Sequence, residues 1–363
     1  MKNTFGTSVS VTLFGESHGD KIGVVIDGLA PGIEIDESYI NLKLSQRRPY
    51  GPMSTKRVEK DEYEIVSGVF EGKTTGTPVC ILIPNCDTKS GDYLATRYLP
   101  RPSHADYTAN EKYHGFEDYR GGGHFSGRIT APLVAAGAIA MTALLKKGIK
   151  IGTHIKRCAS VSDRDFSDYD DDIKFLSDCH FPVLDDEASQ KMQSAIELAA
   201  KDGDSVGGIL ETVITGVDAG IGEPWFDSFE SQISHILFSV PAIKGVQFGL
   251  GFDFADKRGS EVNDAFMMKD GKIVTSTNNN GGINGGITNG MPIVFSSVIK
   301  PTPSIYKTQN TVDMKTLQDA TITLSGRHDP AIIHRARVVV DSVCALSLCD
   351  MLCMRYGTDW LKG

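Results

Sequence analysis

Two histidines sit in short stretches suited to close contact with a ligand. His18 lies in Gly15-Glu-Ser17-His18-Gly19, after an apolar stretch over residues 9–14, and its flanking glycines lack the Cβ that would keep a ligand off the backbone. His104 lies in Arg101-Pro-Ser-His104-Ala-Asp106, where Pro100 and Pro102 stiffen the chain. Asp106, two residues on, is a carboxylate that could orient the imidazole. A third stretch, Arg120-Gly-Gly-Gly-His124-Phe125-Ser126-Gly-Arg128, runs into an apolar helical pattern. Glycines before a helix start expose backbone N–H groups, which makes an anion site. Arg128 adds a fixed charge and a planar donor fork. A fourth stretch, Gly326-Arg327-His328-Asp329-Pro330, also precedes a helix, and Arg47-Arg48 form a basic pair before Pro49. Each also has a blander reading: His18 and His104 as surface turns, the glycine run as a turn without ligand, Asp329 as an N-cap, Arg47 and Arg48 as solvated charge. Together they suggest an anion pocket with two histidines and a carboxylate, suited to proton transfer on a phosphorylated substrate. Spacing alone does not bring the stretches together or choose a reaction.

The elements that must position these residues follow from periodicity. Alternating or continuous apolar runs predict strands over 22–29, 62–70, 78–84, 207–217 and 291–299. Helical spacing predicts helices over 34–48, 131–147, 186–200, 228–238 and 331–355. The 131–147 segment is rich in Ala and Gly, which predicts a buried helix packed close to its neighbours. Gly28-Leu-Ala-Pro-Gly32-Ile resembles Gly216-Val-Asp-Ala-Gly220-Ile, each after a strand and before a helix, which suggests two halves built alike. Helices and strands mix without strict alternation, so the class is α+β. No GxGxxG joins a strand to a helix, so a Rossmann dinucleotide site is not supported.

Bulk properties narrow the function. The chain has 363 residues, 23% of them charged, and a formal net charge of −9, which argues against nonspecific nucleic-acid binding. An anionic substrate would then need arginines gathered locally. No long uninterrupted apolar run predicts a membrane span, and the first residues lack a secretory pattern. The seven cysteines (Cys80, Cys86, Cys158, Cys179, Cys344, Cys349, Cys353) are odd in number and not spaced as metal ligands, so no metal and a reduced, cytoplasmic chain are expected.

Seven blocks in order resemble the chorismate synthase family: GESHG at Gly15, RPSHADYT at Arg101, DYRGGG at Asp118, VPAIKGVQFG at Val240, NNNGGINGGITNG at Asn278, KPTPS at Lys300 and GRHDP at Gly326. The resemblance spans most of the chain and implies one domain over 1–363 with the family's β-α-β sandwich, usually a homotetramer. It implies a lyase that needs reduced FMN (FMNH2) and converts 5-enolpyruvylshikimate 3-phosphate into chorismate and phosphate by anti 1,4-elimination, the last step of the shikimate pathway to aromatic amino acids. By position, His18 resembles the histidine that protonates the departing phosphate, His104 the one beside the reduced flavin, and Asp329 the carboxylate that assists proton removal. Ser17, Arg47, Arg48, Arg101, Arg128 and Arg327 match substrate-binding positions. His124, Phe125, Ser126, Pro241, Ala242, Gly285, Lys300, Pro301, Thr302, Pro303, Ser304 and Arg327 match flavin-binding positions. The family commonly has Arg-Ser-Ser where this chain has His124-Phe125-Ser126. Its next loop arginine, near Pro52 or Met53, has no counterpart unless Arg57 takes that place. Some family members also reduce flavin with NADPH, so a flavin reductase and an inactive flavin-binding homologue are the alternatives.

Overall fold

The computed structural model describes residues 2–51, 53–54, 60–86, 96–326 and 328–362. Arg57 and Arg327 lie outside these. Two antiparallel five-stranded sheets carry the fold. The first has the order Thr4–Phe5, Ser10–Gly15, Lys21–Asp27, Val79–Pro84, Glu64–Ser67. The second has the order Val161–Ser162, Lys150–Cys158, Gly208–Thr215, Ile293–Ile299, Ile243–Phe248. Two helices, Thr130–Lys146 and Ile333–Tyr356, pack on each other between the sheets; the former touches the first sheet and the latter the second. The resulting β-α-β sandwich buries one continuous apolar core.

The repeated glycine motif falls at equivalent places in the two halves. Each time a central strand ends, a helix follows (Glu37–Arg47 or Phe229–Leu237), the next main-sheet strand goes to the sheet edge, and a later strand fills the gap beside the central one. Each half then closes with one of the two buried helices. Gly28 (φ +85°) and Gly216 (φ +81°) do the same local work: a Cβ on Gly28 would lie 1.8 Å from the Ser8 carbonyl, and one on Gly216 2.3 Å from the Gly148 carbonyl. Both carbonyls precede the strand that pairs with the central one. The internal similarity read from six residues is therefore a similarity of topology.

The Ala-rich helix is buried as its composition predicts. Among its residues Gly137 marks the closest approach, since a Cβ there would lie 2.2 Å from Ser342 Cβ on the partner helix. Gly127–Lys146 is long and apolar enough to cross a membrane by length and composition, and its apolar stretch is 83% buried within the fold. The predicted 62–70 strand differs: it breaks at Gly68 (φ +81°), and Val69–Phe70 turns away to pair with Lys73–Thr74. An apolar run cannot reveal that break, because the left-handed residue sits inside it.

Candidate active site

The suspected residues collect at one end of the sandwich, where both buried helices begin. Strand Ser10–Gly15 ends there, and its neighbours Lys21 and Pro84 pair at the same level. The Gly15–Gly19 turn leaves that edge. Asn85, the residue after strand Val79–Pro84, holds the turn through Nδ2, which donates to the Glu16 carbonyl at 3.0 Å and the Gly19 carbonyl at 2.8 Å. Ser17 is buried, and its N–H donates to the Gly123 carbonyl at 3.1 Å. Its hydroxyl reaches the Arg120 and Gly121 carbonyls at 3.3 Å.

The glycine triplet brings the two histidines together. Gly121, Gly122 and Gly123 all have positive φ. A Cβ on Gly121 would lie 2.8 Å from His18 Cε1, and a Cβ on Gly122 would lie 3.2 Å from His104 Cε1. Consecutive residues of one backbone thus touch both imidazoles, and only glycine fits either place. Asp118 lies beside His18, gripped by Arg120 through Nε and Nη2, both at 2.8 Å. Burial would raise the Asp118 carboxyl, yet the Arg120 bonds and the His18 charge hold it below its usual range.

His104 is oriented by its own segment. Its Nδ1 lies 2.7 Å from Asp106 Oδ1. Arg101 also approaches Nδ1, at 3.1 Å, but a guanidinium cannot accept. The Nδ1 proton therefore points to the carboxylate and Nε2 is left toward the glycine triplet. Arg101 binds Asp106 with Nε at 2.8 Å and Nη2 at 2.7 Å. Burial pushes the Asp106 carboxyl up, and these bonds outweigh it and hold it far below the carboxylate range. Lys300 donates to the Ser103 carbonyl and hydroxyl, tying the end of strand Ile293–Ile299 to the same loop.

The basic residues form a second cluster that joins the first. Asp61 is buried between Arg47, whose Nη2 donates at 2.9 Å, and Arg128, whose Nη1 donates to its other oxygen; Arg48 stands 3.7 Å away. Arg128 Nε donates to Asn85 Oδ1 at 3.1 Å and Nη2 to the Pro84 carbonyl at 3.1 Å. Arg335, at the start of the C-terminal helix, donates to the Arg47 carbonyl at 2.8 Å and to Asp329 Oδ2 at 2.6 Å. His328 feels the charge of Arg101, which adds to burial in holding its imidazole below the usual value. The contacts form a continuous chain, Arg101, His104, glycine triplet, His18 turn, Asn85, Arg128, Asp61, Arg47, Arg335 and Asp329, and His328 beside Asp329 is near enough to Arg101 to feel its charge.

The remaining positions are less uniformly placed. His124 donates Nδ1–H to the Gly15 carbonyl at 2.8 Å, pinning the triplet to the His18 turn. Phe125 is 38% exposed and meets Tyr113 edge-on. Ser126 accepts from the Arg128 N–H at 3.3 Å. Ala242, beside Pro241, accepts from the Lys300 N–H at 2.9 Å. Within Pro301-Thr302-Pro303-Ser304, Thr302 and Pro303 offer carbonyls to Ser205 and Gln309, and Ser304 is buried. Gly285 lies in the Ile283–Thr288 hairpin, next to Gly286, whose carbonyl accepts from the Phe229 N–H, and among the described residues no contact ties it to the histidines. Two buried polar atoms, Thr302 Oγ1 and His328 Nε2, have no hydrogen-bond partner among the described residues, and a ligand there would satisfy them. Lys300 lies near Lys244, and burial with that charge lowers its ammonium below the usual value.

Sequence reasoning missed Asp61, Asn85, Asp118 and Arg335. Asp61 sits in a run of alternating charge that reads as solvated, and Arg335 on a helix whose other basic residue in that turn, Arg337, is buried elsewhere. No local signal marks Asn85.

Whole-chain comparison identifies the family: the family model of chorismate synthase matches residues 9–353. The chain belongs to the chorismate synthase family. It is 48% identical over 351 residues to chorismate synthase of Pyrococcus abyssi (strain GE5 / Orsay), covering 96% of this chain and 97% of the relative. It is 44% identical over 364 residues to that of Aeropyrum pernix (strain ATCC 700893 / DSM 11879 / JCM 9820 / NBRC 100138 / K1), covering 99% and 96%. A crystal structure of chorismate synthase superposes with a TM-score of 0.77 at 28% identity, covering 98% of this chain and 94% of the other. Fold and family agree, and the chain is an enzyme of the lyase class like its chorismate synthase relatives.

Proposed function

We propose that the enzyme eliminates phosphate from 5-enolpyruvylshikimate 3-phosphate to give chorismate, with reduced FMN as cofactor, as the last step of the shikimate pathway to aromatic amino acids. The observation that carries this reading is the contact of adjacent Gly121 and Gly122 with His18 and His104, joined through Asn85 to the Arg128–Asp61–Arg47 cluster. A proton donor beside a cationic cluster suits a departing phosphate. In this reading His18 gives its proton to the leaving phosphate. Ser17 holds the turn that presents it. Arg47, Arg48, Arg101, Arg128 and Arg327 bind the phosphate and the two carboxylates of the substrate.

The residues at hand fit a flavin. Thr302 Oγ1 and His328 Nε2 are buried atoms awaiting partners, and the Lys244–Lys300 pair suits the FMN phosphate. His124, Phe125, Ser126, Pro241, Ala242, Gly285, Pro301, Pro303, Ser304 and Arg327 would complete the contacts. Reduced FMN, when bound, would supply electron density to the allylic system as phosphate leaves. His104, with Nδ1 fixed by Asp106, presents Nε2 to that site. Asp329, oriented by Arg335, assists removal of the ring proton. The reaction consumes no reductant. We further propose a single domain over 1–363, a homotetramer and a cytoplasmic location.

The test is anaerobic incubation with chemically reduced FMN and the enolpyruvyl ester. Release of phosphate with the flavin still reduced supports the proposal. No release under those conditions defeats it, and steady NADPH oxidation with FMN alone points to a flavin reductase instead.

A further inference from the structure

We infer that Asp61 is a built-in counterion that occupies the arginine cluster in the empty enzyme and gives way to the anionic group of the substrate, so that it sets the affinity of the anion site. The inference rests on the reading that Arg47 and Arg128 bind a substrate anion.

Four observations carry it. The Asp61 side chain has no exposed surface, and its two oxygens are divided between the two arginines. This is how a bound carboxylate or phosphate would meet two forks. Arg128 is held independently by neutral acceptors, Asn85 Oδ1 and the Pro84 carbonyl. The Arg47 backbone is held by Arg335. The Arg128 fork therefore keeps its aim when Asp61 leaves, and that arm of the site is pre-organised for a replacement anion. Asp61 itself lies outside any strand or helix, at φ +50°, and so holds no ladder together. Finally, a cavity of about 610 Å³, lined by Asn41, Arg48, Lys60, Asp61 and Tyr63 among others, opens beside it. A displaced side chain has space without disturbing the core. A buried ion pair whose role was only structural would need none of this.

Two arginines exchanging one anion for another lose little, because each state satisfies them. The substrate must nevertheless compete with a carboxylate that is always present at high local concentration. Removing that charge should tighten anion binding.

The experiment is calorimetric titration of the full-length protein with inorganic phosphate, without flavin, comparing wild type, Asp61→Asn and Asp61→Glu. Asp61→Asn should bind phosphate tighter by about tenfold or more, roughly the gain from removing one competing charge-assisted contact. Asp61→Glu, which keeps the charge, should stay closer to wild type. With the phosphorylated substrate, Asp61→Asn should lower KM while kcat changes less. Equal or weaker phosphate binding by Asp61→Asn overturns the inference. If that variant folds only when phosphate is added, an external anion is replacing the carboxylate, which supports it. If the variant stays unfolded with or without phosphate, the carboxylate is structural and the inference fails. Phosphate binding requires no turnover. A gain in binding with no lyase activity in wild type would sink the proposed reaction alone, and normal turnover with no gain would sink the counterion alone.

Discussion

Replacing Asp106 with Asn tests how the site holds His104. Asn keeps the shape of the side chain but can accept through one atom only. Asp106 now accepts from His104 Nδ1 at 2.7 Å and from Arg101 Nε and Nη2 at 2.8 and 2.7 Å, and from the Arg101 N–H at 3.0 Å. Each carboxylate oxygen serves two of these four donors, so an amide, with a single acceptor oxygen, leaves two of them unpaired. A partly buried charged donor without a partner costs about 1–3 kcal/mol. The larger effect falls on chemistry. Without the carboxylate the imidazole loses its fixed tautomer, and a misoriented acid–base histidine costs roughly 10²–10⁴ in rate. The assay is anaerobic phosphate release with reduced FMN, measured as kcat and KM for Asp106→Asn, His104→Ala and the double variant. Because Asp106 acts through His104, the double variant should be no slower than His104→Ala by more than about threefold. A single Asp106→Asn variant within threefold of wild type, or losses that multiply in the double variant, would refute the reasoning. Stability gives a second reading. The Asp106 carboxyl lies far below its unfolded value. Its contribution is therefore present above that unfolded value, near 3.9, and is lost as pH falls toward the folded one. The wild-type melting temperature should drop more steeply than that of Asp106→Asn in acid.

Other consequences are as specific. His18→Ala should lower kcat by roughly 10²–10⁴ in the same assay. Gly122→Ala sets a Cβ at 3.2 Å from His104 Cε1 on a backbone at φ +87°; turnover should fall at least tenfold, on the order expected for a displaced acid–base group, with the fold intact by circular dichroism. Gly137→Ala puts a methyl 2.2 Å from Ser342 Cβ between the buried helices and should cost about 1–3 kcal/mol in urea unfolding. His154, with no exposed surface, lies between Asp163 at 2.7 Å and Glu211 at 3.0 Å, with Lys156 and Phe166 against them. Burial would lower its pKa, but the two carboxylates win and raise it. Its stabilisation is thus full below its unfolded value, about 6.5, and is lost as pH rises through the folded one. Removing it by His154→Gln should cost about 3 kcal/mol at pH 6 and flatten the alkaline decline in melting temperature.

The fold was legible wherever one segment made its own case. The Ala-rich helix, the C-terminal helix and the strands over 22–29, 78–84, 207–217 and 291–299 follow from periodicity, whereas Ser10–Gly15, Lys150–Cys158 and Ile243–Phe248 were not read as strands; the short glycine repeat pointed to duplicated topology because Gly28 and Gly216 each answer a carbonyl that a Cβ would strike. The 62–70 strand was misread because its break is a single left-handed glycine. The His18, His104 and Gly121–Gly123 stretches were legible as ligand-facing loops, since glycine and proline beside histidine is a local pattern. Their convergence was not, because it depends on Gly121 and Gly122 meeting residues about 103 and 18 positions away. The arginine cluster was hidden for the same reason. Its centre, Asp61, looks in sequence like one more surface charge, and its brace, Asn85, looks like a strand end.

The most direct measurement is a crystal structure with oxidised FMN and 5-enolpyruvylshikimate 3-phosphate, a pair that supports no turnover and should persist. The account predicts the ester phosphate within hydrogen-bond reach of His18 Nε2, with Arg47 and Arg128 on substrate oxygens and the flavin beside His104. Ligands bound away from the glycine triplet, with both imidazoles facing solvent, would contradict it.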